Sequence, residues 1–188
     1  CIGAAAVFDF CDGAAARLLA AYSALGKELD SLADLVSFGV APSMLLLNAM
    51  LDLTGGNALS YISLFIPLMG ALRLAKFNID DTQSTTFSGL PIPANAIFWI
   101  GFVSCLYSLE TMMPAWIVSV ITVAVSLLMV ADMRMFSLKF KNFHFKENVY
   151  RFVIIAIAVI SVSLCGITGL MWTIAAYVAL SAVAGRRA

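Results

Sequence analysis

Residues 1–34 read CIGAAAVFDFCDGAAARLLAAYSALGKELDSLAD, and this stretch decides the fold. Its apolar blocks have the length of membrane-spanning helices, yet Asp9, Asp12, Asp30 and Asp34 sit inside them. A lone carboxylate there costs at least a few kcal/mol, so four of them need a reason. Asp9 and Asp12 are three apart and Asp30 and Asp34 four apart, which puts each pair on one helix face. A short turn around 23–27 makes the two helices antiparallel neighbours, so the carboxylates converge at one depth near a membrane surface. Helix capping, or pairing with Arg17 and Lys27, would account for one such aspartate but not for four at this spacing. Hard divalent cations with oxygen ligands, Mg²⁺ or Mn²⁺, neutralise such a cluster economically. Two ions roughly 3.5–4 Å apart would form a two-metal phosphoryl-transfer site.

The rest of the chain agrees with a membrane setting. Of 188 residues, 62% are hydrophobic and 12% charged, and the mean hydropathy is +0.99; a soluble domain has about twice that charge. Eleven Lys and Arg balance eleven Asp and Glu, so neither a nucleic-acid-binding excess nor an acidic tail is present. Long apolar blocks in place of strict alternation argue against an outer-membrane barrel. The sequence predicts seven hydrophobic helices, at about 1–22, 29–51, 58–77, 93–109, 114–131, 149–165 and 168–184. The breaks have turn chemistry at Gly26-Lys27, Thr54 to Asn57, Gly89 to Pro93, Met113-Pro114 and Gly166 to Gly169. The expected fold class is all-α, a polytopic transmembrane helical bundle forming a single integral membrane domain over 1–188. The start at Cys1, already apolar, reads as a fragment beginning inside a helix, without signal-peptide features. Four scattered cysteines (Cys1, Cys11, Cys105 and Cys165) read as reduced packing residues. A lone histidine, His144, excludes a His-based metal site within the chain.

Charge gives the orientation. The loops after helices one, three and five, the C-terminus and the adjoining helix ends hold all eleven basic residues. The opposite side has Asp52 and Glu110 and no Lys or Arg. The positive-inside rule makes the basic side cytoplasmic. The expectation is a multi-pass protein of the cytoplasmic membrane whose acidic cluster faces the cytoplasm.

Gly13 inside a helix costs up to about 1 kcal/mol relative to Ala, which a closely laid nucleotide would justify. Ala16 keeps that surface shallow. Arg17, a turn beyond, can reach a diphosphate bidentately or snorkel to the interface. Taken together, Asp9-x-x-Asp12-Gly13-x-x-Ala16-Arg17, eight residues, then Gly26-x-x-x-Asp30-x-x-x-Asp34 resembles the signature of the CDP-alcohol phosphotransferases. The resemblance implies that Asp9, Asp12 and Asp30 bind the metals, with Asp34 both a metal ligand and the general base. It implies that Gly13, Ala16, Arg17 and Ser23 line the CDP-lipid site and that Gly26 allows close approach. Family members carry a further transmembrane helix and an interfacial segment before this point. Those help to close the nucleotide pocket, which puts the activity of this stretch alone in question.

The flanking passages 35–42 (LVSFGVAP), 72–78 (LRLAKFN) and 87–94 (FSGLPIPA) are similar to the family's serine-using membrane branch. The implied reaction is CDP-diacylglycerol plus L-serine giving phosphatidylserine plus CMP, with Mg²⁺ or Mn²⁺, two ions, as cofactor. The implied partners are CDP-diacylglycerol, L-serine and membrane lipids, without nucleic acid; a homodimer is allowed. Serine needs a cation for its carboxylate, and Arg73, Lys76 and Asn78 at one helix end are candidates, with interfacial anchoring as the other reading. The run 134–151, with phenylalanines among lysines, reads as a solvated cytoplasmic loop or as a site for anionic headgroups. Alternatives are a different acceptor (glycerol phosphate or inositol phosphate), an ether-linked donor, or an ion or proton transporter. Phosphorylated acceptors call for more basic residues than Arg73 and Lys76. A transporter leaves Gly13, Arg17 and Gly26 unexplained.

Overall fold

A computed structural model describes residues 2–18, 23–79, 87–108, 113–135 and 148–185. The first helix, α1, runs Ile2–Leu18. Ser23 then adopts an extended backbone (φ −137°, ψ 150°) and its Oγ accepts the Gly26 N–H at 2.9 Å, capping the next helix. That cap corrects the sequence reading: α2 (Ala24–Asp34) begins five residues before the predicted position 29. Gly26 and Lys27 therefore lie in its first turn and not in a connecting loop. A capping serine at the right offset outweighed the glycine as a local signal.

The helix continues without interruption through a π-helical stretch, Leu35–Val40, into α3 (Ala41–Thr54). Pro42 explains the widened turn. It has no N–H to donate, and its ring would press on the carbonyl four residues back in a regular α-helix. The Ala41 N–H instead reaches Val36 O, five residues back. Gly55 (φ 65°) ends α3 in the left-handed conformation. Asn57 caps a 3-10 stretch, Ala58–Leu64, which leads into α4 (Phe65–Ile79). The remaining helices are α5 (Ile92–Ser108), α6 (Ala115–Val130), α7 (Val149–Cys165) and α8 (Gly169–Gly185). Two-residue strands β1 (Phe87–Ser88) and β2 (Arg134–Met135) pair antiparallel and tie the α4–α5 connection to the segment after α6. The greater part of the run 134–151 lies outside the described residues.

By length and composition, three helical runs suffice to cross a membrane: Leu25–Thr54, Ala58–Ile79 and Val149–Val183. The last reverses at Gly166, and its halves α7 and α8 pack on each other. Ile92–Ser108 and Ala115–Val130 are shorter and also apolar. The polarity distribution is that of a membrane protein. Leu45, Leu68, Leu72, Ile155, Val159, Ile160 and Trp172 are exposed, whereas Ser43, Ser60, Ser63, Asn95, Thr122, Ser126 and Ser181 are buried. Lipid solvates the first set, and the second is sheltered from it between helices. Ser43 Oγ, for example, donates to Ser63 O at 2.9 Å.

The core is centred on α5, which packs against α3 and α8 while α4 packs on α6. Trp99 is fully buried, meets Phe98 and Phe102 edge-on, and donates its indole N–H to Asn95 Oδ1 at 3.0 Å. Close helix approach depends on missing side chains. A Cβ on Gly101 would stand 2.3 Å from Met171 N in α8. Gly89 (φ 76°) lies against the end of α6, where a Cβ would meet Met129 O at 2.3 Å. The first contact holds α8 against α5, and α4 and α5 in turn pack on the π stretch.

Candidate active site

Asp9 and Asp12 lie on α1, and Asp30 and Asp34 on α2. Carboxylate oxygens from Asp9, Asp12 and Asp30 all lie within 4.8 Å of one another. Asp9 is half-buried; Asp12 and Asp30 are exposed. Asp34, also half-buried, is within hydrogen-bond reach of Asp9 and so joins the group from the inner side. It is the last residue before the widened π turn. Among the described residues the ion pair is Lys76–Asp132, so none of the four carboxylates has a basic partner there.

That donor set fits a hard divalent cation. It offers several anionic oxygens within coordination reach of one centre, no nitrogen or sulfur ligand among the described residues, and crowded like charges that a cation would relieve.

Gly13 is exposed beside Asp12, and a Cβ built there meets nothing within 4 Å. Among the described residues, packing does not require a glycine at this position. Ala16 and Arg17 follow on the same helix; their side chains lie outside the described part. Ser23 and Gly26 have a local role: a Cβ on Gly26 would lie 2.9 Å from the capping Ser23 Oγ. The expected CDP contacts of these two residues would be additional to that cap.

The three residues considered for serine separate. Lys76 Nζ binds Asp132 Oδ1 at 3.0 Å on the surface. Asn78 Nδ2 donates to Ser31 Oγ at 3.2 Å and to Glu28 Oε2 at 3.4 Å, bracing the end of α4 against α2. Of the three, Arg73 is the one associated with the acidic group: it is half-buried and near enough to Asp34 to feel its charge. Sequence reasoning could not make this separation, because the partners of Lys76 and Asn78 are about fifty residues away in the chain. It also missed the π turn, although Pro42 inside a predicted helix was a legible signal for it.

A model of the family described as CDP-alcohol phosphatidyltransferase matches residues 1–128 of this chain. The chain belongs to the CDP-alcohol phosphatidyltransferase family. Among its relatives is a CDP-diacylglycerol--serine O-phosphatidyltransferase of Bacillus subtilis, 40% identical over 144 residues, which are 74% of this chain and 71% of the relative. A protein of the same name from Methanocaldococcus jannaschii is 39% identical over 128 residues, covering 68% and 58% of the two chains. An archaetidylserine synthase of Methanothermobacter thermautotrophicus is 36% identical over 135 residues, covering 68% and 53%. The alignments thus span about half to seven tenths of these relatives. In this CDP-alcohol phosphatidyltransferase, α1 to α6 lie almost wholly inside the family match, whereas α7 and α8 lie beyond it.

Proposed function

We propose that this protein transfers the phosphatidyl group of CDP-diacylglycerol to L-serine, giving phosphatidylserine and CMP, at the cytoplasmic face of the membrane. The observation that carries the proposal is the group Asp9, Asp12 and Asp30 with Asp34 beside it, in a chain whose relatives are named for this reaction. Bound there, two Mg²⁺ or Mn²⁺ ions would supply positive charge to offset that building on the transferred phosphate. Asp9, Asp12 and Asp30 hold them, with Asp34 as a further ligand. The bare helix surface at Gly13 takes the nucleotide, Ala16 keeps it shallow, and Arg17, Ser23 and Gly26 flank the CDP portion.

Asp34 accepts the serine hydroxyl proton while that oxygen bonds to the lipid-side phosphorus. The phosphorus–oxygen bond to CMP breaks on the opposite side, and CMP leaves with both electrons of that bond. Arg73 meets the serine carboxylate. Because Lys76 is already paired with Asp132, Arg73 is the cation near Asp34 among the described residues, which suits a carboxylate better than a phosphorylated acceptor. The buried polar residues elsewhere among the described residues are hydroxyls and amides, with no second carboxylate to continue an ion pathway. The one-sided distribution of Lys and Arg supports the cytoplasmic orientation.

The test is CMP release by the purified full-length protein with CDP-diacylglycerol and L-serine, glycerol phosphate or inositol phosphate as acceptor. Serine alone is expected to give release, chelation to abolish it, and Mg²⁺ or Mn²⁺ to restore it. Full turnover in excess chelator would refute the metal assignment, and release with a phosphorylated acceptor but not serine would refute the acceptor.

A further inference from the structure

Buried polar atoms in a folded chain almost always have partners, so those without one point to a ligand or to water. Two such atoms flank a single side chain. Arg73 Nε and Ser181 Oγ are both buried with no close hydrogen-bond partner among the described residues, the Ser181 hydroxyl being near enough to the Tyr177 hydroxyl to interact with it. Tyr177 is 4% exposed and lies four residues before Ser181, on the same face of α8. Tyr177 is also close enough to Arg73 for the two to interact electrostatically, and Arg73 in turn faces Asp34.

Topology brings the same groups to one end of the bundle. In the alternating path, α2 starts at the end where α4 and α8 finish. Asp34, Arg73 and Ser181 thus approach it from three helices. A zwitterionic amino acid needs a cation for its carboxylate and oxygen acceptors for its ammonium. The guanidinium edge at Nε answers the first need, and the hydroxyl oxygens of Tyr177 and Ser181 answer the second.

We infer that Tyr177 and Ser181 of α8 join Arg73 in the subsite that holds the charged groups of the acceptor amino acid. The C-terminal helix, beyond the residues matched by the family, then sets which alcohol is used. This rests on serine being the acceptor and deepens that reading.

The experiment measures Michaelis constants of the full-length protein for L-serine and for CDP-diacylglycerol in wild type, Tyr177→Phe and Ser181→Ala. Both constants are independent of the fraction of the preparation that is folded. Each substitution removes one hydrogen-bonding hydroxyl, so the serine constant should rise about tenfold. The CDP-diacylglycerol constant should stay within about twofold of wild type. If Tyr177→Phe cannot be recovered folded, Ser181→Ala, a change of one oxygen atom, carries the test. Unchanged serine constants overturn the inference, and so does a parallel rise of both constants, which marks a structural role. Absence of serine-dependent CMP release from wild type would instead overturn the proposed reaction, and the subsite with it.

Discussion

Gly13→Ala should leave the fold intact while weakening the hold on the CDP portion of the donor. A Cβ at this position meets nothing within 4 Å, so the protein itself has room for the methyl group. Alanine inside a helix is favoured over glycine by about 0.8–1.0 kcal/mol. The thermal midpoint in detergent should then hold or rise by about 2–4 °C for a chain of this size. A nucleotide lying on the bare surface would meet the new methyl, at a cost of about 1–3 kcal/mol for overpacking. That corresponds to a rise of about 5- to 150-fold in the Michaelis constant for CDP-diacylglycerol. The assay is CMP release at saturating serine against varied donor, with thermal unfolding measured on the same preparation. Gly26→Ala is the contrasting case, since its Cβ would stand 2.9 Å from Ser23 Oγ and strain the α2 cap. Its midpoint should stay near wild type, because a weakened cap costing about 1 kcal/mol offsets the similar gain from replacing a helical glycine. An unchanged donor constant in Gly13→Ala would show that no ligand lies against this face.

Three further outcomes can be checked. Asp34→Asn keeps its shape but loses its proton acceptor, so turnover should fall by roughly 100- to 10,000-fold, whereas Asp9→Asn should lose donor binding and turnover together. Equal loss of donor affinity in both variants, with no further rate loss in Asp34→Asn, would make Asp34 a ligand only. Gly101→Ala, with its Cβ 2.3 Å from Met171 N, should push α5 and α8 apart; a thermal midpoint equal to wild type would contradict an overpacking cost of about 1–3 kcal/mol. In a background without native cysteines, a cysteine at Asn142 should react with an impermeant label from the cytoplasm and one at Gly56 from the opposite side. Labelling of both from the same side would break the helix count.

The sequence alone determined the helical membrane class, because apolar blocks of spanning length leave little choice in lipid: only a helix satisfies its own backbone there. It also picked out Asp9, Asp12, Asp30 and Asp34, since carboxylates at helical spacing in such blocks are too costly to be incidental. Those features are local, written within one or two helical turns. Tertiary structure was needed wherever the partner lies far along the chain. Lys76, Asn78 and Arg73 share one helix end and look alike in sequence. Asp132, the pair Glu28 and Ser31, and Asp34 with Tyr177 gave the three different surroundings. The start of α2 and the π turn at Leu35–Val40 fall between these cases. Their causes, Ser23 and Pro42, are local, but each competes with a neighbouring signal, and only the hydrogen bonds of the assembled helix decide which prevails.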